Sequence, residues 1–209
     1  MKILVIRNDK LGDFMLAWPA ISLLKKQYPD SLITALVPAY TRPVAELCPW
    51  IDDIIIDDRG SLISLARRLK TGRYDASISL FSEMRTAAAL WLAGVPDRFG
   101  PATKTAQIFL NRRLRQRRSL SLKPEHEYNV DLARFLVKHY NDAPVELDPP
   151  PYLAFDPSDI RAAREQYIAD HKVPAGSSLV FIHPGSGGSA INLSLDQFAQ
   201  LSRTLAESV

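Results

Sequence analysis

The sequence predicts an α/β protein built on a doubly wound, mostly parallel sheet. Three observations carry that prediction: short, continuously apolar runs rich in β-branched residues, segments of helical apolar spacing, and a regular alternation of the two along most of the chain. Bulk properties set the frame. With 209 residues and 46% hydrophobic content, the chain can fill one core of ordinary size but is short for two. A charged fraction of 23% and a mean hydropathy of −0.08 exclude wholesale disorder.

Ile3–Ile6 is the first such run and reads as a strand buried on both faces. A polar turn with Gly12 follows, and then Phe14 to Tyr28, where Leu16, Ala20, Leu23 and Leu24 recur at helical spacing; Pro19 must sit in the first turns of that helix or kink it. Leu32–Val37 reads as a strand, Thr41–Cys48 as a short helix and Ile54–Ile56 as a strand. Leu62–Leu69 is then expected as helix, Ala76–Leu80 as strand, and Met84–Leu92 as a helix stopped by Gly94 and Pro96. A short strand at Arg98–Phe99 and an amphipathic helix over Tyr128–Tyr140 complete a first domain of residues 1–142.

Five prolines (Pro144, Pro149, Pro150, Pro151 and Pro157) mark residues 143–157 as an extended interdomain linker. Beyond it, residues 158–209 read as the start of a second domain: a helix over Ser158–Ala169, a buried strand over Leu179–Ile182, a Gly/Ser-rich loop, and a helix from about Leu195. One strand and two helices bury too little apolar surface to stand alone, so this second domain is expected to be incomplete.

Several function classes recede on composition. A net charge of +3 and a pI near 9.0 are too mild to imply nucleic acid. The single cysteine, Cys48, excludes an intramolecular disulfide, makes a cysteine-based zinc site implausible and suits a reducing, cytoplasmic setting. The four-residue apolar run at the N-terminus is too short for a signal peptide or a span, so membrane contact is expected only as peripheral.

Ligands of open parallel sheets bind beyond the carboxyl ends of the strands, where Arg7-Asn-Asp-Lys-Leu-Gly-Asp13 is placed by the pattern. This loop has neither the glycine fingerprint of a dinucleotide site nor a P-loop ending, so it offers charged side chains instead of a phosphate cradle. Asp13 at a helix start can act as a general base, and it can equally be a helix cap; local pattern alone favours the cap. Asp9 and Lys10 read locally as a solvated turn pair. A second loop, His183-Pro-Gly-Ser-Gly-Gly-Ser189, could hold an anionic group such as phosphate with its amides and hydroxyls, or be a flexible connection. The basic run Arg112-Arg-Leu-Arg-Gln-Arg-Arg118 suits an anionic saccharide, an anionic membrane surface or plain solvation; without interleaved aromatics it does not suit nucleic acid.

Taken together, Lys2–Arg7, Leu11-Gly-Asp13 with Pro19-Ala-Ile21, Arg98-Phe-Gly100, His126–Asn129 and His183-Pro-Gly-Ser-Gly187 resemble the family 9 glycosyltransferases, the ADP-heptose:lipopolysaccharide heptosyltransferases. The resemblance implies a GT-B architecture: a Rossmann-like N-terminal domain for the acceptor and a second Rossmann-like domain, here incomplete, for the donor. It implies inverting, metal-independent and cofactor-free transfer of a sugar from an ADP-heptose-like donor to an anionic, lipid-linked saccharide of the lipopolysaccharide inner core, at or near the inner membrane. Asp13 would be the base. Lys10, Gly12, Arg112, Arg113, Arg115 and Lys123 would face the acceptor, with Arg117 and Arg118 on the same loop. His183, Gly185, Ser186, Gly187 and Ser189 would face the donor phosphates. Two departures from the family pattern stand out: Ala190-Ile-Asn192 lacks the lysine often found there, and the family's later Gly-x-x-His segment does not occur. The chain alone is therefore expected to bind donor poorly, and the alternatives are a non-catalytic module for anionic saccharide or an inactive remnant. A nucleotide-dependent oxidoreductase is disfavoured by the missing glycine fingerprint.

Overall fold

The computed structural model describes residues 1–102, 105–174, 176–185 and 192–208. The chain divides into two compact units, Met1–Ala154 and Phe155–Val209.

The first unit is a six-stranded sheet, every adjacent pair parallel. Its strands are β1 (Lys2–Ile6), β2 (Leu32–Pro38), β3 (Asp53–Asp57), β4 (Ala76–Ser79), β5 (Asp97–Pro101) and β6 (Arg112–Leu114). They lie in the order β3-β2-β1-β4-β5-β6, which reverses direction at β1 and so places a topological switch point between β1 and β4. β1 earns its central place by composition, since Ile3, Leu4, Val5 and Ile6 are all essentially inaccessible to water and supply apolar surface to both faces.

The helices are α1 (Leu11–Met15), α2 (Trp18–Gln27), α3 (Arg42–Glu46), α4 (Leu62–Gly72), α5 (Met84–Leu92) and α6 (Glu125–His139). α2 and α6 pack together over one face, around Ile3, Val5, Phe14, Ile21, Phe99 and Leu132. α4 and α5 pair over the other, around Leu4, Ile6, Leu36, Leu65, Leu69 and Leu90. Helices on both faces make the sheet doubly wound, as the sequence predicts.

Three local differences have physical causes. The helix expected over Phe14–Tyr28 is two helices separated at Leu16 and Ala17, because Pro19 sits in the first turn of α2 and contributes no amide to a continuous ladder. The Ala20 amide donates to the Ala17 carbonyl at 3.0 Å instead of to that of Leu16, which accepts a hydrogen bond from Asn129 Nδ2 at 3.0 Å. Second, α6 begins at Glu125, three residues before the expected start, with Glu125 and Glu127 in its first turn, where carboxylates oppose the helix dipole favourably. Third, β6 is an edge strand of only three residues inside the basic run, where the sequence predicts no strand. As expected, α5 is stopped by Gly94, which follows the C-cap Ala93 and whose φ of +75° is the left-handed conformation that glycine adopts without strain.

The proline-rich stretch contributes to the first unit up to Ala154: Val145, Leu147, Tyr152 and Leu153 pack on the core, and Trp50 meets the Tyr152 ring edge-on at 6.0 Å.

The second unit contains α7 (Pro157–Asp170) and α8 (Leu195–Ser208). α7 is capped by Asp156, which accepts from the Ser158 amide at 2.7 Å. The strand expected at Leu179–Ile182 is not formed; Val180 and Phe181 are 58% and 72% exposed. A strand persists through ladder hydrogen bonds to a neighbour, and among the described residues of this unit there is no neighbouring strand.

Candidate functional site

A cavity of about 400 Å³ opens beyond the carboxyl ends of β1, β4 and β5, at the switch point. Arg7 and Asp13 line it from the loop and helix after β1, Phe81 and Ser82 from the loop after β4, and Arg118 and Glu125 from the segment leading into α6.

Arg7 organises this cavity. The residue is 3% exposed, and its guanidinium meets three carboxylates: Asp9 through Nε at 2.9 Å, Asp13 through Nη2 at 3.2 Å, and Glu125 through Nη1 at 3.1 Å. Nη1 also donates to the Leu80 carbonyl at 3.0 Å. Arg118 closes the same ring, donating through Nη1 to Glu125 at 2.5 Å and to the Leu80 carbonyl at 3.2 Å. Burial draws the Arg118 pKa below its usual value, with the Glu125 charge working against that shift. Burial likewise raises the Asp9 carboxyl, reinforced by the nearby Asp13 charge and opposed by Arg7.

Asp13 is the third residue of α1 and makes no capping hydrogen bond; Lys10 holds the N-cap position. The capping role that local pattern favours is therefore not realised. The Asp13 side chain is instead pinned on one side by Arg7 and remains 33% exposed, so its carboxylate is both oriented and reachable from the cavity. A side chain added at Gly12 would meet no protein atom within 4 Å, so the glycine leaves open space above the loop.

The loop itself is anchored from the opposite side. Asn8, fully buried, donates through Nδ2 to Asp57 at 2.6 Å and to Glu83 at 3.2 Å. Asp57 also receives Arg85 Nη2 and the Arg59 amide, the latter at 3.1 Å. Burial would lift the Asp57 carboxyl, but the hydrogen bonds from Asn8, Arg85 and Arg59 outweigh it and hold the pKa below the usual value.

The other expected contacts are distributed differently. Arg112 points away from the cavity, bonding Asp97 at 2.9 Å and the His139 ring at 3.1 Å, and Arg113 is exposed on β6. Arg115 and Lys123 line a separate pocket, shared with Arg117, Arg134 and Lys138. Of the cations in the basic run, Arg118 is the one that reaches the Asp13 cavity, with Gln116 beside it in the lining. Lys10 is exposed beside it. In the second unit His183 and Gly185 are exposed, and Ser186, Gly187 and Ser189 lie outside the described residues. Arg7, Gln116, Glu125 and Asn129 carry roles that no single segment announces; the one signal available is that Arg7 opens the charged loop and Glu125 precedes the His126–Asn129 motif. Among the described residues no group of three or more His, Cys, Asp or Glu is arranged to hold a metal ion.

An all-parallel, doubly wound domain with an oriented carboxylate at its switch point defines an α/β domain with its cavity where open parallel sheets bind ligands. Comparison with known proteins narrows this. No protein-family model matches the chain. A Haemophilus influenzae protein carrying the provisional name of glycosyltransferase is 48% identical over 98% of this chain and 60% of its own length. The structure of Escherichia coli ADP-heptose lipopolysaccharide heptosyltransferase II superposes with a TM-score of 0.78 at 23% identity, covering 100% of this chain and 62% of that one. A glycosyltransferase of family 9 from Veillonella parvula superposes with a TM-score of 0.71 at 21% identity, over 98% of this chain and 59% of the other. The chain is thus a homologue of glycosyltransferases, its structural neighbours are family 9 heptosyltransferases, and its α/β fold matches the GT-B-type folds of those structures. The chain spans about 60% of the length of the relatives it matches.

Proposed function

We propose that this chain forms the acceptor side of a heptosyltransferase-like glycosyltransferase, with Asp13 as its general base. The observation that carries the reading is the Arg7-held, partly exposed Asp13 carboxylate at the mouth of the switch-point cavity. In the reaction an acceptor hydroxyl oxygen attacks the anomeric carbon of the nucleotide-sugar donor from the face opposite the leaving group. The hydroxyl proton passes to the Asp13 carboxylate, and the nucleoside diphosphate departs with the bonding electron pair, so configuration inverts. Arg7 orients the base and, with Arg118, offsets the negative charge gathered by Asp9, Asp13 and Glu125.

The reading takes an ADP-heptose-like molecule as donor and a lipid-linked, anionic saccharide of the lipopolysaccharide inner core as acceptor, in the cytoplasm and without metal or cofactor. Domain assignments of 1–142, 143–157 and 158–209 for acceptor domain, linker and donor domain belong to the same proposal. The donor diphosphate would be met by the 183–189 loop. No described helix is long and apolar enough to cross a membrane.

The test uses a protein carrying this sequence together with the remaining length found in its relatives. Asp13→Asn should lower kcat by about 10²–10⁴-fold while leaving acceptor KM within a few fold. Transfer at the parent rate would reject Asp13 as base.

A further inference from the structure

We infer that Glu125 is a positioning residue for Asp13 that acts through Arg7, taking up part of the Arg7 charge and so leaving Asp13 able to accept a proton. The inference deepens the reading of Asp13 as base and rests on it. Its geometry is a pair of guanidiniums bridged twice. Glu125 Oε1 lies 3.1 Å from Arg7 Nη1 and 2.5 Å from Arg118 Nη1, and the Leu80 carbonyl accepts from the same two nitrogens at 3.0 and 3.2 Å. Arg7 carries Asp9 and Asp13 on its remaining nitrogens. Three carboxylates therefore draw on two cations, and a carboxylate that receives less of the shared positive charge holds a proton more readily. The field of Glu125 crosses Arg7: the Asp9 carboxyl, raised chiefly by burial, is raised further by the charges of Asp13 and Glu125.

The other charged groups around Asp13 are few. Arg7, Asp9 and Lys10 belong to its own loop, Arg118 precedes α6 and Glu125 opens it, while the loop after β4 brings only Leu80, Phe81 and Ser82 to the cavity. A carboxylate in the first turn of α6 also opposes the helix dipole, which is a structural role. The network has other supports for that purpose. Without the Glu125 charge, Arg118 keeps Gln116 at 3.0 Å, Asn129 at 3.4 Å and the Leu80 carbonyl, and Arg7 keeps Asp9 and the same carbonyl. Glutamine at position 125 retains an acceptor oxygen for both guanidiniums, so Glu125→Gln removes the charge and little else.

The test has one readout that needs no activity. In the whole chain labelled with carbon-13 at its aspartate carboxyls, the Asp13 line is assigned by its loss in Asp13→Asn. Its titration midpoint should move to lower pH by about 1 pH unit in Glu125→Gln, where Arg7 is left to Asp9 and Asp13. It should move to higher pH in Arg118→Gln, where Glu125 draws on Arg7 alone, and return close to the parent value in Glu125→Asp, which keeps the charge. In a protein with the full length of its relatives, the acid limb of the kcat profile should shift in the same two directions. Glu125→Gln should lower kcat by up to about tenfold, less than Asp13→Asn, with acceptor KM within a few fold. Structural damage would not move the two charge variants in opposite directions. Midpoints within about 0.3 pH unit of the parent, or moving the same way in both variants, would overturn the proposal whatever the activity does. Midpoints that move as expected beside a fully active Asp13→Asn would uphold the coupling and reject only the reading of Asp13 as base.

Discussion

Replacing Asp57 by alanine tests whether the loop carrying Asp13 is held by the buried network beneath it. The Asp57 side chain is inaccessible to water and accepts from Asn8, Arg85 and the Arg59 amide. Removing one member of a buried charged pair costs about 3–5 kcal/mol, because its partners lose a desolvated acceptor. Glu83 limits the damage. It stays within 3.2 Å of Asn8, 3.3 Å of Arg85 and 2.7 Å of Arg59, so the three donors keep one carboxylate. The lower end, about 3 kcal/mol, is therefore expected, which for a chain of this size lowers Tm by roughly 6–12 °C. The sign of the pH dependence follows from the depressed Asp57 pKa. Its contribution is fully present above the unfolded value of about 3.9 and is lost as pH falls through the lower folded value. The gap between parent and variant should thus be constant from neutral pH to about pH 5 and close only in strong acid. Thermal unfolding followed by circular dichroism measures both. A Tm loss below about 2 °C at neutral pH, or a gap that widens in acid, would refute the argument.

Two further predictions concern the packing around the site. Phe99 is fully buried, edge-on to Phe135 at 5.6 Å and to His139 at 5.4 Å, so Phe99→Ala should cost about 3–5 kcal/mol in urea unfolding with an unchanged m value; a loss under about 1 kcal/mol would mean that β5 and α6 do not share a core. Burial pushes the Cys48 thiol up to about 12, so it should resist a disulfide reagent at about pH 8.5, where an ordinary thiol is half ionised, and react fully once unfolded; rapid labelling of the folded chain would contradict its placement in the core.

Much of the architecture was legible because it rests on local pattern. Runs such as Ile3–Ile6 and Leu32–Val37 are apolar at every or nearly every position only because both faces of a central parallel strand are covered, and helical spacing between such runs leaves few topologies. β6 was not legible for the converse reason. An edge strand pairs on one side only, and Arg112-Arg113-Leu114 needs no apolar run to do so. The strand expected at 179–182 shows the limit of an apolar run as a signal, since a strand is a relation between segments. The site divides the same way. Asp13 was visible from its place after the first strand, whereas Glu125 is 118 residues from its partner Arg7 and only the fold joins them. The basic run looked like one acceptor-facing loop. In three dimensions β6 turns Arg112 toward Asp97, and the chain then passes Arg115 and Arg118 to different pockets.

That parting of the ways runs through Gln116. Its side chain is nearly inaccessible, donates to the Tyr128 carbonyl at 2.7 Å, accepts from Arg118 at 3.0 Å, and forms part of the wall of both pockets. A partition of this kind obeys thermodynamic reciprocity. Whatever preference an occupant of one chamber has for a particular setting of Gln116 and Arg118 must be returned, with equal free energy, by an occupant of the other. The two chambers are separate volumes with a common wall, so an occupant of one that shifts Gln116 would be felt in the other.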